Sequence, residues 1–364
     1  MNSVTVRTAS KKYSVHSGEN LIRYAGALAA SAVGVGQALI VTDTNAGPLY
    51  GETLMNALTG SGFDARMFMI PAGEQSKNMN WLSAILNHLA QSRMTREDTV
   101  FALGGGVIGD MAGLAASLYM RGISLVQVPT SLLASVDSSV GGKTAIDLEA
   151  GKNLVGSFFQ PDLVLCDTAS FKTLPPEQIA NGFGEIVKTG VIRDEKLFEM
   201  SAAPQISNIT AIVHRCVEIK SDVVCHDEKE TGLRQILNFG HTFGHAVEKC
   251  SNFAIPHGFC VAIGMAIITA ASVKRGICGQ ETLTRLLSAL NARGLPHTTH
   301  YRVEDLYDSM MSDKKRARHP QGSNTVTLVL PLSIGSVERR RVAMEEARSF
   351  MVEGLAALEE LERE

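Results

Sequence analysis

Three glycines have the spacing of a phosphate-binding turn. Gly104, Gly106 and Gly109 match the pattern G-x-G-x-x-G, in which glycine lets the backbone come close to a pyrophosphate. The β-branched and apolar run 99–103 before them predicts a buried strand, and the Ala- and Leu-rich run 111–118 after them predicts a helix. The free N–H groups and the positive dipole end of a helix N-terminus attract phosphate. The sequence therefore indicates a nucleotide site.

This nucleotide site departs from the standard dinucleotide design. The acidic residue that usually follows about twenty positions later is missing, because the next predicted strand, 124–128, leads into Pro129 and Thr130. Lys143 lies in a Gly-Gly-Lys-Thr segment that lacks the first glycine of a Walker loop, so no P-loop is predicted. A tight strand–helix turn without a ligand is the alternative.

Acidic and histidine side chains in the second half of the chain have the types of metal ligands. Glu185 and Lys188 are three residues apart, His241 and His245 are four apart, and His257 follows a proline. A catalytic zinc takes three protein ligands with N and O donors and leaves a position for substrate. The missing Glu after His241 excludes the H-E-x-x-H zinc proteases. Histidines that cap helices are the alternative, and spacing does not fix which three residues bind.

Basic residues near these clusters predict an anionic substrate. They are Lys143, Lys152, Lys188, Lys220, Arg234 and the run Lys314-Lys315-Arg316. A charge run is usually a solvated face, and we interpret Arg316-Ala-Arg318 in that way.

Two different patterns of elements must position these residues. Strands alternate with helices up to Leu165, which predicts a parallel sheet with helices on both faces and polar loops at the carboxyl ends of its strands. From Pro175 onward helical periodicity dominates, and only 325–330 predicts a strand. We therefore expect an α/β Rossmann-like domain over residues 1–170, a mostly helical domain over residues 171–364, and a ligand in the cleft between them.

Composition excludes several classes of protein. The chain has 364 residues, of which 45% are hydrophobic and 20% charged, as in a soluble globular protein with two domains. Its net charge of -3 gives no indication of a nucleic acid or membrane partner. Six cysteines without a C-x-x-C pair predict reduced thiols in the cytoplasm. The apolar segment 25–41 contains Gln37 and follows a polar start, so it predicts neither a signal peptide nor a membrane span.

Taken together, these motifs resemble those of 3-dehydroquinate synthase, a family of sugar phosphate cyclases. The matching motifs follow one another in order from Asp43 to Lys315, and they are Gly104-Gly-Gly-Val-Ile-Gly-Asp110, Pro129-Thr-Ser131, Asp137-Ser-Ser-Val-Gly-Gly-Lys-Thr144, Gly151-Lys-Asn153, Glu185-Ile-Val-Lys188, Leu237-Asn-Phe-Gly-His-Thr-Phe-Gly-His245, Pro256-His-Gly258 and Asp313-Lys-Lys315.

The resemblance implies a cytoplasmic lyase of the shikimate pathway. Its substrate is 3-deoxy-D-arabino-heptulosonate 7-phosphate, and its products are 3-dehydroquinate and phosphate. A substrate hydroxyl is oxidised by NAD, phosphate is eliminated, the ketone is reduced again, and the opened ring closes as a carbocycle. A divalent metal acts as Lewis acid on the oxygen that is oxidised.

The resemblance also implies a role for each matching residue. Zinc or cobalt binds to Glu185, His241 and His257. NAD is held by Asp43, Asn45, Glu74, Lys77, Gly105, Gly106, Val107, Asp110, Thr130, Ser131, Asp137, Lys143, Lys152 and Thr173. The substrate contacts Lys143, Lys152, Asn153, Lys188, Lys220, Arg234, Asn238, His245 and a lysine of the 313–315 motif, taken as Lys314. Arg121 matches an arginine that reaches the substrate of the neighbouring subunit, which implies a homodimer; a solvated surface arginine is the alternative.

Two other functions compete with this one. A metal-dependent polyol or glycerol-phosphate dehydrogenase also begins with a Gly-Gly-Gly turn and uses histidine ligands, but it usually has Asp where this chain has Glu185. A non-catalytic NAD-binding regulator would not need the metal clusters. Sister cyclases that make inosose or valiolone rings are expected to lack the residues of the segment 138–144.

Overall fold

The structure, a computed structural model, describes residues 1–311, 317–318 and 324–363. Its strands are β1 (Asn2–Arg7), β2 (Lys12–Gly18), β3 (Gln37–Asp43), β4 (Asp64–Ile70), β5 (Thr99–Gly104), β6 (Ser124–Pro129), β7 (Lys143–Leu148), β8 (Gly151–Phe158), β9 (Leu163–Asp167), β10 (Ala317–Arg318), β11 (Asn324–Ser333) and β12 (Ser336–Ala343). Its α-helices are α1 (Ala25–Val33), α2 (Glu52–Thr59), α3 (Met79–Gln91), α4 (Gly106–Leu118), α5 (Pro176–Arg193), α6 (Glu195–Ala202), α7 (Ile209–His226), α8 (His241–Cys250), α9 (His257–Lys274), α10 (Gln280–Ala292), α11 (Val303–Met311) and α12 (Met344–Arg363).

The chain forms two compact units. The first contains Met1–Ile179 and Ile209–Lys229, and the second contains Ala180–Asn208 and Glu230–Glu364. Helix α7 therefore belongs to the first unit, although the sequence analysis assigned its residues to the second domain.

A mostly parallel sheet organises the first unit. Its strand order is β1-β2-β9-β6-β5-β3-β4, and only β1 is antiparallel to its neighbour. Side chains of β5 alternate between two cores: Val100 and Ala102 pack with residues of α3 and α4, whereas Phe101 and Leu103 pack with residues of α1 and α2. This alternation buries both faces of the sheet. The predicted α/β architecture is confirmed.

A hairpin that was not predicted from the sequence lies in the chain between β6 and β9. Strands β7 and β8 pair antiparallel, with Lys143 opposite Phe158. The chain enters β7 through Gly141 and Gly142, whose φ angles are +99° and +69°. Glycine adopts this left-handed backbone without the steric cost of a Cβ. Lys143 is thereby placed at the exposed start of a strand.

Helices dominate the second unit, as predicted, and β10, β11 and β12 form an antiparallel sheet. The prediction of a strand at 325–330 alone was wrong, because β12 pairs with β11 over its whole length. Its run Arg339-Arg-Arg341 is largely exposed and conceals the alternation of a strand. Helix α9 is long and apolar enough to cross a membrane, but 78% of it is buried inside the protein. It packs against α8 and α12, which accounts for its apolar composition.

Candidate functional site

Glycines allow the backbones of α5, α8 and α9 to approach each other closely. A Cβ added at Gly264 of α9 would lie 1.9 Å from the carbonyl oxygen of Gly240, just before α8. A Cβ at Gly184 of α5 would lie 2.3 Å from the carbonyl oxygen of Gly258. Real side chains do not tolerate such contacts. These glycines therefore bring together the segments of the chain that carry Glu185, His241 and His257.

The three predicted metal ligands converge at this junction. Oε1 of Glu185 lies 3.6 Å from Nε2 of His241 and 3.4 Å from Nε2 of His257. Two donors on one tetrahedral ion, each about 2.0–2.2 Å from it, are roughly 3.4 Å apart. Glu185 is 1% exposed. The donor set and its spacing therefore fit a zinc or cobalt ion.

His245 joins the same group of donors. Ligand atoms of His241, His245 and His257 lie within 4.8 Å of one another. The ring of His245 is 5.2 Å from that of His241 and 5.8 Å from that of His257. His245 was predicted to contact substrate, and its position beside the three predicted ligands is compatible with that role.

In His241 and His257, the second ring nitrogen, Nδ1, lies near a protein oxygen. Nδ1 of His241 lies 3.1 Å from the carbonyl oxygen of Phe239, and Nδ1 of His257 lies 3.3 Å from Oε2 of Glu248. Burial lowers the pKa of His257, but its contacts with the carboxylates of Glu185 and Glu248 outweigh this and raise the pKa to about 10. A metal ion that binds His257 must therefore displace a proton.

Lys188 pairs with the other oxygen of the central carboxylate. Its Nζ contacts Oε2 of Glu185, three residues earlier on α5, and both side chains are buried. A buried carboxylate requires such a partner. Lys188 therefore holds Glu185 with Oε1 facing the imidazoles.

The segment before α8 positions two predicted substrate residues. Arg234 is 1% exposed, and Nδ2 of Asn238 donates to Oε1 of Glu230 at 2.6 Å. Gly240, with φ of +77°, then turns the chain into α8 at His241. The sequence analysis missed Glu230, because nothing in its spacing distinguishes it from other acidic residues of the loop.

Predicted cofactor residues of the first unit lie at one edge of the parallel sheet. Asp43 ends β3, and Glu74 and Lys77 follow β4. Gly105, Gly106 and Val107 follow β5, and Thr130 and Ser131 follow β6. Because these four strands are adjacent and parallel, their carboxyl ends meet at one edge, where such sheets bind ligands.

The glycine turn at this edge has the shape of a pyrophosphate cradle. Gly105 immediately precedes α4 and provides no side-chain cap for its first N–H groups. A Cβ at Gly106 would lie 3.2 Å from Oγ of Ser138, and a Cβ at Gly105 would lie 3.5 Å from Oγ of Ser131. The absence of these Cβ atoms leaves the helix N-terminus accessible to a phosphate, so the turn fits NAD.

Charged residues beside the turn form a linked cluster. Nζ of Lys77 lies 2.5 Å from Oδ2 of Asp110 and 2.6 Å from Oδ1 of Asn153, and Lys152 lies 3.4 Å from Glu74. Burial raises the pKa of Asp110, and the Lys77 ammonium opposes the shift. Burial lowers the pKa of Lys77, but attraction to the nearby carboxylates outweighs it and the net shift is upward. Five predicted site residues are thus brought together.

Other predicted residues of the first unit have separate partners. Oδ1 of Asp43 accepts the backbone N–H groups of Asn45 and Ala46, each at 2.8 Å. Nζ of Lys220 on α7 lies 2.7 Å from Oδ1 of Asp137. The hydroxyl of Thr173 contacts that of Tyr50.

Two predicted substrate residues remain, Arg121 and Lys314. Arg121 is exposed in the turn after α4, with a φ of +67° between Met120 at +49° and Gly122 at +120°. Left-handed backbone costs a non-glycine residue about 1–2 kcal/mol, so this turn is strained. Lys314 lies outside the residues that the structure describes, as does Lys315.

Comparisons with known proteins identify similar chains. Residues 67–181 match the family described as "3-dehydroquinate synthase N-terminal", and residues 182–316 match "3-dehydroquinate synthase C-terminal". The 3-dehydroquinate synthase of Lactiplantibacillus plantarum is 45% identical over 81% of this chain and 84% of its own length. That of Caulobacter vibrioides is 39% identical over 97% of this chain and 99% of its own length.

A solved structure supports the same assignment. The 2-epi-5-epi-valiolone synthase of Streptomyces hygroscopicus subsp. jinggangensis 5008, with NAD+ and Zn2+ bound, is 28% identical to this chain. The TM-score is 0.84, and the match covers 97% of each chain. Family matches over most of the chain and relatives of this identity are decisive: the chain belongs to the 3-dehydroquinate synthase family.

Proposed function

We propose that this protein converts 3-deoxy-D-arabino-heptulosonate 7-phosphate to 3-dehydroquinate and phosphate. The observation that carries the proposal is the convergence of Glu185, His241 and His257 with Lys188 on the same carboxylate. The proposed reaction needs a Lewis acid next to a cation. The family to which the chain belongs, 3-dehydroquinate synthase, is named for this reaction. The relatives with the same name cover most of the chain.

Two cofactors accompany this activity, NAD and Zn²⁺ or Co²⁺. Glu185, His241 and His257 would hold the metal. The glycine turn and the polar residues around it would hold NAD. When bound, NAD supplies a reversible acceptor of hydride, and the metal supplies a Lewis acid for the oxygen being oxidised. The NAD+ and Zn2+ in the valiolone synthase structure support this assignment.

Basic and amide side chains would bind and orient the anionic substrate. Lysine and arginine neutralise its carboxylate and phosphate, and the amides and His245 donate or accept hydrogen bonds. Phosphate itself can take the proton removed during its elimination, so no dedicated side-chain base is required. The proposed substrate residues are Lys143, Lys152, Asn153, Lys188, Lys220, Arg234, Asn238, His245 and Lys314, with Arg121 of a second subunit.

One incubation tests this function against its rivals. The protein, with zinc and NAD, is expected to release one phosphate for each heptulosonate phosphate consumed, measured with a colorimetric phosphate assay. A polyol dehydrogenase would release none and would reduce NAD with a polyol instead. The relatives do not favour that alternative. Absence of phosphate release from a chain loaded with metal and NAD would contradict the proposal.

We also propose that the active form is a homodimer. Arg121 lies in a strained turn, and strained backbone is retained where surrounding contacts or function require it. The neighbouring Leu118 and Met120 are 51% and 48% exposed, which is unusual for large apolar side chains. A second subunit would cover these side chains and receive Arg121.

Hybrid dimers test the shared site. Arg121→Ala and Lys152→Ala are each expected to lower activity by about 10²-fold, because each removes a charge-assisted contact to the substrate. If Arg121 acts in the neighbouring subunit, mixing equal amounts of the two inactive chains should restore about a quarter of wild-type activity, since about half of the dimers are mixed and one of the two sites of each mixed dimer is intact. Mixed chains that exchange subunits but regain no activity would rule out a shared site.

We propose a cytoplasmic location. None of the six cysteines forms a disulfide, and four of them are buried. Structural disulfides form in oxidising compartments and are rare in the cytosol.

A further inference from the structure

Glu248 is a buried acid on the same helix as His241 and His245, three residues beyond the motif that contains these histidines. It lies on α8, seven residues after His241, and is 7% exposed. Residues three, four and seven apart share one face of a helix, so His241, His245 and Glu248 face the same way. The carboxylate of Glu248 contacts one of the predicted metal ligands, His257. Its Oε2 lies 3.3 Å from Nδ1 of His257, at the start of α9.

This contact determines which nitrogen of His257 is available to a metal. A neutral imidazole has one N–H and one lone pair. If Nδ1 carries the hydrogen and donates it to Glu248, the lone pair lies on Nε2, the atom 3.4 Å from Oε1 of Glu185. Phe239 holds His241 in the same way, but through a neutral carbonyl oxygen at 3.1 Å. Only the carboxylate adds a full negative charge, which strengthens the donor behind it.

We propose that Glu248 is a positioning residue that fixes the tautomer and orientation of His257 and thereby sets the affinity of the chain for its metal. The proposal rests on the metal site of the proposed function. Glu248 touches neither the substrate nor the ion, and it acts through His257. A substitution at this position should therefore change metal affinity before it changes any binding of substrate.

Metal affinity of variants at this position tests the proposal. We expect Glu248→Ala to weaken zinc binding by about 10–100-fold, the usual effect of losing an outer partner of a ligand. Glu248→Gln keeps an oxygen that accepts from Nδ1 and should lose less. Affinity is measured by competition with a chromogenic chelator, and the visible spectrum of the Co²⁺ form should shift in Glu248→Ala because the geometry around the ion changes.

A matched control removes a carboxylate from a histidine outside the metal site. Oε1 of Glu218 lies 3.6 Å from Nε2 of His214 on α7. Glu218→Ala should keep wild-type metal affinity and the wild-type Co²⁺ spectrum. If Glu248→Ala does not fold, as judged by circular dichroism, Glu248→Leu fills the same space without an acceptor and carries the same expectation.

Two results would overturn the proposal. The first would contradict this proposal alone, and the second would contradict the proposed function as well. A folded Glu248→Ala or Glu248→Leu chain with wild-type zinc affinity and an unchanged Co²⁺ spectrum would overturn this proposal alone. Failure of the wild-type chain to bind zinc or cobalt would contradict the proposed function and this proposal together.

Discussion

Alanine in place of Glu185, His241 or His257 is expected to abolish metal binding and lower kcat/KM by about 10³-fold or more. The loss corresponds to about 4 kcal/mol of transition-state stabilisation, within the range that a Lewis acid supplies. Chelation of the wild-type protein should abolish activity in the same way, and added zinc or cobalt should restore it. Metal content measured by atomic emission, together with phosphate release, checks the expectation.

Folding and a control variant separate loss of the metal from loss of structure. The first unit contains none of the three ligands, so its parallel sheet should remain folded in each variant, as judged by circular dichroism. His300→Ala removes an exposed histidine of the second unit that stacks on Tyr301, and it should retain metal and activity. Any ligand variant that keeps a full equivalent of metal would show that its residue is not a ligand.

NAD far below the substrate concentration is expected to support complete conversion of the heptulosonate phosphate. The hydride removed in the first step returns to the substrate before the product leaves, so NAD emerges unchanged. This requires tight retention of the cofactor, which the polar residues at the sheet edge favour, from Asp43 and Glu74 to Asp110 and Asp137. Phosphate release and the absorbance of NADH, followed together, give the measurement.

The same experiment distinguishes the synthase from a dehydrogenase. A dehydrogenase consumes one NAD per turnover, so conversion would stop when the NAD is exhausted, and NADH would rise in step with product. For the synthase we expect one phosphate per substrate and no lasting rise in NADH. Accumulation of stoichiometric NADH would replace the proposed function with that of the polyol dehydrogenase.

Local patterns in the sequence predicted those parts of the site that depend on one element. The glycine turn before α4 follows from a strand, three glycines and a helix in succession, and the structure has this arrangement. His241 and His245 are neighbours because four residues make about one helical turn. Their approach to Glu185 and His257 depends on the packing of three helices. The spacing of residues in the sequence therefore did not determine which three of them bind the metal.

Contacts between elements explain what the sequence analysis missed. Glu248 was not predicted as part of the site, because its partner His257 lies on α9, and no periodicity joins the two helices. Strand β12 was missed because its three consecutive arginines do not show the alternation of apolar and polar residues that predicts a strand. Helix α7 has an ordinary helical pattern, and its contacts with β1, β2 and the segment Ala134–Ser138 place it in the first unit.

The glycine contacts between α5, α8 and α9 have a consequence for how the protein acquires its ion. Backbone packs against backbone at Gly184, Gly258 and Gly264, and these contacts need no ion to form. We therefore expect metallation to follow folding, in contrast to a zinc finger, in which the ion drives folding. A preformed set of one carboxylate and two imidazoles accepts several divalent ions, and their relative affinities follow general coordination chemistry. We therefore expect these affinities and the supply of metals in the cell to decide together which ion the protein carries.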